Sequence, residues 1–123
     1  MGGYRDLKVW QLGVEISLAI YKLTDSFPTR EQYALSSQLR RAAVSVSSNI
    51  AEGHSRGATK DYIRFLAIAR GSVAELETQL IISKNLGFIQ TNDFDQVMSL
   101  LDEESRMLAG LRRSLRSKLR ESN

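Results

Sequence analysis

Apolar positions along the chain recur at spacings of three and four residues in four blocks, and short polar breaks separate the blocks. That period predicts four helices, over about residues 5–24, 30–52, 59–86 and 92–120. Asp25-Ser26-Phe27-Pro28 breaks the first. Thr29 to Gln32 has the form of a capping box opening the second, and Gly53 is suited to the left-handed position that closes it. Thr59 is expected to cap the third helix, with Asp61 favourable in its first turn. Gly87 closes it, and Phe88 is placed for the hydrophobic contact of a Schellman motif. Thr91 and Asp93 open the fourth. Short links between long helices imply antiparallel neighbours, so the pattern predicts an all-α, up-down-up-down four-helix bundle.

The interior stripes differ in character. The second helix offers Leu35, Leu39, Ala42, Val46, Asn49 and Gly53, a small and partly polar row. The third offers Tyr62, Leu66, Ala69, Val73, Leu76 and Leu80, and the fourth is rich in leucine. Helix one is apolar on two faces: Leu7, Trp10, Val14, Leu18 and Tyr21 on one, Val9, Leu12, Ile16, Ala19, Ile20 and Leu23 on the other. A bundle helix needs one buried stripe. The second face therefore implies another contact, most simply with a further copy of the chain. Val9, Leu12, Ile16, Ile20 and Leu23 are taken as the outer, subunit-facing row.

Composition narrows the picture. A length of 123 residues and 42% apolar content suit one domain over residues 1–123. The absence of cysteine excludes disulfides, thiolate metal sites and cysteine nucleophiles, and fits a reducing cytoplasm. The opening MGGYRDLKVW lacks the cationic segment and long apolar run of a signal peptide. No run reaches the length of a membrane span, so no membrane partner is expected.

Three segments carry a resemblance: RDLKVWQ at residues 5–11, LRRAAVSVSSNIAEG at 39–53 and KDYIRFLAIARGSVAELETQL at 60–80. In order and spacing they resemble the four-helix-bundle proteins named for the intervening sequences of bacterial 23S ribosomal RNA genes, over roughly residues 4–118. The resemblance implies an antiparallel four-helix bundle assembled as a cyclic homopentamer, and it implies no catalytic residues. More distantly, the chain is similar to the accessory protein of diversity-generating retroelements, a basic pentameric bundle that binds nucleic acid and a reverse transcriptase.

Candidate chemistry is sparse. Arg40, Arg41, Asn49 and Glu52 on helix two, with Glu75 and Glu77 on helix three, are expected to form a polar structural seam of Arg–Glu pairs and Asn hydrogen bonds, since buried charges must be paired. One histidine cannot supply the two Glu-x-x-His motifs of a di-metal bundle, and no metal or cofactor is expected. The stretch from Gly53 to Lys60 reads as a loop carrying His54; it departs from the P-loop pattern because Ala58 follows Gly57. The end of helix four is the clearest electrostatic feature. Between Ser105 and Asn123 six basic residues, Arg106, Arg112, Arg113, Arg116, Lys118 and Arg120, face one acid, Glu121. The remaining chain carries a net charge of −2. These residues are a candidate contact for an RNA or DNA backbone, without interleaved aromatics for base stacking. The chain is thus expected to be a non-enzymatic, cytoplasmic, self-associating interaction module with a protein partner, or alternatively a nucleic-acid accessory protein.

Overall fold

The computed structural model describes residues 3–122, so residues 1, 2 and 123 of the expected domain lie outside the described residues. All regular elements among the described residues are helical: α1 (Lys8–Thr24), α2 (Leu35–Ser55), α3 (Thr59–Asn85) and α4 (Thr91–Ser122), with 3-10 turns at Tyr4–Asp6 and Thr29–Glu31. Each helix packs on the next in chain order, and α4 closes back onto α1. The chain is therefore a four-helix bundle. No helix is long and apolar enough to cross a membrane among the described residues.

The core runs along the bundle axis. Ile16 and Ile20 of α1, Leu39, Val46 and Ile50 of α2, Leu66, Val73, Leu76 and Leu80 of α3, and Leu101 and Leu108 of α4 are all buried. The spacing is the three-four repeat of the sequence, so the apolar stripes do the packing. Two glycines let helix backbones approach. A Cβ on Gly53 would stand 2.5 Å from the Cβ of Phe65, across the α2–α3 contact. One on Gly13 would meet Glu104 Oε2 at 3.1 Å and Ser47 Cβ at 3.2 Å, where α1, α2 and α4 converge.

Helix ends depart from expectation in three places. The capping box at Thr29 does not form; its residues make the 3-10 turn, and α2 starts only at Leu35, whose amide donates to Glu31 Oε1 at 3.3 Å. Gly53 does not close α2. It is buried inside the helix, which continues to Ser55, and Gly57 takes the left-handed backbone with φ +84°. The connection is thus shorter than read, and His54 lies on α2 with its ring edge-on to Tyr62. Thr59 is the first residue of α3 rather than its cap. At the other end of α3 the Schellman geometry is complete. Gly87 has φ +83°, its amide donates to Lys84 O, and the Phe88 amide donates to Ser83 O.

Candidate functional site

Helix one is apolar on two faces, and the structure turns the expected outer row inward while Leu7 and Trp10 of the other face also pack against the core. Val9, Leu12, Ile16 and Ile20 belong to the core, with Ile16 and Ile20 wholly inaccessible, and Leu23 is half-buried against it. A side chain enclosed within one bundle cannot contact another copy while the bundle stays folded, so this row is not a subunit interface. The reason is geometric: Gly13 falls in the same stripe as Val9, Ile16 and Ile20, and only that stripe admits the close approach of Ser47 and Glu104.

The outward apolar residues are others. Leu18 is 67% exposed and Tyr21 47%, and Val44 and Tyr33 join them from α2 and the segment before it. Tyr21, Tyr33 and Val44 line one shallow depression with Ser37, Arg40 and Arg41. Arg40 fixes the patch to the bundle. Its Nε donates to Thr24 Oγ1 at 2.8 Å, its Nη2 pairs with Asp25 at 3.3 Å, and its guanidinium lies 4.9 Å from the Tyr21 ring centroid. A second exposed row runs along α3: Ile68, Glu75 and Ile82 at seven-residue intervals, continued by Leu86. The two-faced helix one signalled the first patch. Val44 and Ile68 sit amid core-spaced residues, and nothing in the sequence separates them from the interior.

The seam between α2 and α3 is polar, but not through the expected ion pairs. Arg40 turns to α1, Arg41 donates to Ser37 within its own helix at 3.2 Å, and Glu52 pairs with Arg56 at 3.0 Å. Asn49 donates to Ser45, again within α2. Glu75 and Glu77 form no ion pair among the described residues. The polar contact that does cross is neutral: Ser45 and Ser72 hydroxyls meet at 2.8 Å. The seam is close-packed, and small hydroxyls satisfy one another there without the desolvation cost of buried ions. A cleft of about 260 Å³ opens above it, lined by Gln38, Arg41, Ala42, Ser45, Glu75 and Gln79.

Sequence reasoning missed a buried acid. Glu104 is inaccessible and neither carboxyl oxygen has a hydrogen-bond partner. Burial, helped by the neighbouring charge of Glu103, pushes its pKa up to about 8. Spacing gave the only available signal, since Glu104 lies three residues after Leu101 and four before Leu108.

On α4, Arg106 pairs with Asp102 one turn earlier at 3.3 Å. Arg112 is half-buried and its Nε donates to Ile63 O at 3.4 Å. Arg113, Arg116, Lys118 and Arg120 are exposed and pair with no carboxylate among the described residues. Leu111 and Leu115 pack partly against the core, so the final turns are amphipathic and basic.

Comparison with known proteins places this geometry. The family model described as 23S rRNA-intervening sequence protein matches residues 5–110. A crystal structure of a protein of unknown function from the S23 ribosomal protein family of Bacteroides thetaiotaomicron VPI-5482 is similar to the chain with a TM-score of 0.76. The two share 21% identity over 85% of this chain and 97% of that one, a likeness of fold. No curated protein matches the chain.

Proposed function

We propose, for a chain that belongs to the 23S rRNA-intervening sequence protein family, a role as a non-catalytic assembly module that binds further copies of itself. The observation that carries this reading is the pair of exposed apolar faces, Leu18–Tyr21–Tyr33–Val44 on one side and Ile68–Ile82 on α3. They differ in position. Arg41 and Glu75 line the cleft between them, and neither has an ion-pair partner among the described residues. Two unlike apolar faces favour head-to-tail contact, which closes into a ring when the rotation allows. This supports a cyclic homo-oligomer, and a pentamer is the form the sequence resemblance implies.

The magnitudes fit an interface but not a single contact. Leu18 and Val44 are 67% and 42% exposed, so burying what remains gains at most about 1.5–3 kcal/mol each, and association costs roughly 4–15 kcal/mol. Both faces must therefore act together, and removing two anchors should dissolve the assembly. Sedimentation of the wild type and of the L18E/V44E double variant tests this. The wild type should exceed the 13.8 kDa of one chain, and the variant should sediment as a folded monomer. A variant with unchanged mass would overturn the reading.

A second reading has its own support. The unpaired Arg113, Arg116, Lys118 and Arg120 at the end of α4 suit an RNA or DNA backbone. Binding of a labelled RNA strand should fall steeply with salt and on R113Q/R120Q substitution, and an absence of binding at low salt would remove this reading.

A further inference from the structure

Arg70 of α3 and Arg112 and Arg116 of α4 make a cationic cluster that spans two helices. Arg112 reaches across to the Ile63 carbonyl oxygen at 3.4 Å, and Arg70 reaches back, Nη2 to Ser105 Oγ at 3.5 Å. The two crossings fix an antiparallel register in which residue 112 lies level with 63 and residue 105 with 70. By helical spacing, Ile63, Ala67 and Arg70 share one side of α3, and Ser105, Ala109, Arg112 and Arg116 share the facing side of α4. Small side chains, Ala67 and Ala109, thus occupy the positions between the crossing arginines along the groove where the two helices meet.

No carboxylate lies within ion-pair distance of Arg70, Arg112 or Arg116 among the described residues, whereas Arg30, Arg40, Arg56 and Arg106 each have one. Asp61, the acid nearest Ile63 in sequence, sits about 160° around α3 from it. The positive charges act on one another. Arg112's pKa is lowered, first by burial and then by the charges of Arg116 and Arg70. Two of the guanidiniums are anchored by neutral acceptors, a backbone carbonyl and a hydroxyl, which hold them in place without neutralising them. An oxyanion with several acceptor oxygens relieves that repulsion and matches the planar guanidinium fork.

We propose that Arg70, Arg112 and Arg116 form a phosphate-binding site, and that the phosphate it takes is a phosphodiester of a nucleic-acid strand lying along the α3–α4 groove. This rests on the second reading above and extends it to a residue on a different helix. The positions lining the groove carry no aromatic side chain, so contact is with backbone rather than base.

Two arms of one experiment separate the site from the reading. In the first, a labelled RNA strand is titrated by fluorescence anisotropy against wild type, R70Q and R113Q/R120Q over a range of salt. R70Q should weaken binding about tenfold at low salt and reduce the salt slope by about 0.7, one single-strand phosphate contact. In the second, inorganic phosphate is titrated against ionic-strength-matched chloride while the arginine Nε–H signals are followed by NMR. Arg70 and Arg112 should shift together and saturate in phosphate, and R70Q should abolish the Arg112 response. Strand binding that R113Q/R120Q weakens and R70Q leaves unchanged keeps the second reading and overturns the site. Saturable phosphate shifts without strand binding keep the oxyanion site and overturn the strand as its ligand. No response in either arm overturns both. Arg70 is exposed, so R70Q should melt as the wild type does, and that melt is the control for an intact fold.

Discussion

A carboxyl group buried beside Gly13 without a hydrogen-bond partner makes Glu104 the most pH-sensitive residue of the core. Its pKa is raised from 4.5 to about 8 by burial and then by Glu103. A raised acid pKa means that the folded state favours the protonated form. Its stabilising effect is complete below the unfolded pKa near 4.5 and is lost as pH rises through about 8. Between those limits stability should fall by up to about 1.4 kcal/mol per pH unit. Glu104→Gln keeps the shape and removes the titration. Urea unfolding should show the variant gaining on the wild type with rising pH and more stable than it at pH above about 8. Parallel pH profiles for the two proteins would contradict this account of Glu104.

Among the helices, the α2–α3 contact depends on one missing Cβ. Alanine normally improves a helix interior by about 0.5–1 kcal/mol over glycine. At Gly71 the added methyl meets nothing within 4 Å, so Gly71→Ala should raise the melting temperature. At Gly53 it would collide with the Cβ of Phe65, which cannot move without its helix. Gly53→Ala should therefore destabilise by about 1–3 kcal/mol, and thermal unfolding of the two variants should give opposite signs. The same residues show what the sequence could convey. Apolar periodicity places all four helices, because core packing and the period come from the same residues. The Schellman closure at Gly87 was legible because its signals are local. Gly53 also reads locally as a helix end, yet its cause is Phe65 on the next helix, a contact between residues far apart in the chain. Helix one failed for the same reason. Both of its faces are apolar, and the choice between them was made by Ser47 and Glu104 against Gly13. Charge at Ile16 or Ile20 should consequently unfold the bundle rather than dissociate it.

For the whole molecule, the two apolar surfaces flank the polar seam between α2 and α3, and the basic surface lies at the end of α4. The seam is closed by neutral serines, and the exposed groups that invite a partner are Leu18, Tyr21, Tyr33 and Val44, the isoleucines of α3, and Arg113, Arg116 and Arg120 of α4. Assembly through two unlike faces makes a demand that a symmetric dimer does not. A chain with its first face destroyed still offers the second, and the converse also holds. L18E/V44E and I68E/I82E should each be monomeric alone, yet an equimolar mixture retains one intact pair of faces. Native mass spectrometry of that mixture is the most direct test. The account predicts a species of twice the 13.8 kDa chain mass containing one copy of each variant. Two monomers that stay separate when mixed, or a single variant that still assembles alone, would contradict it.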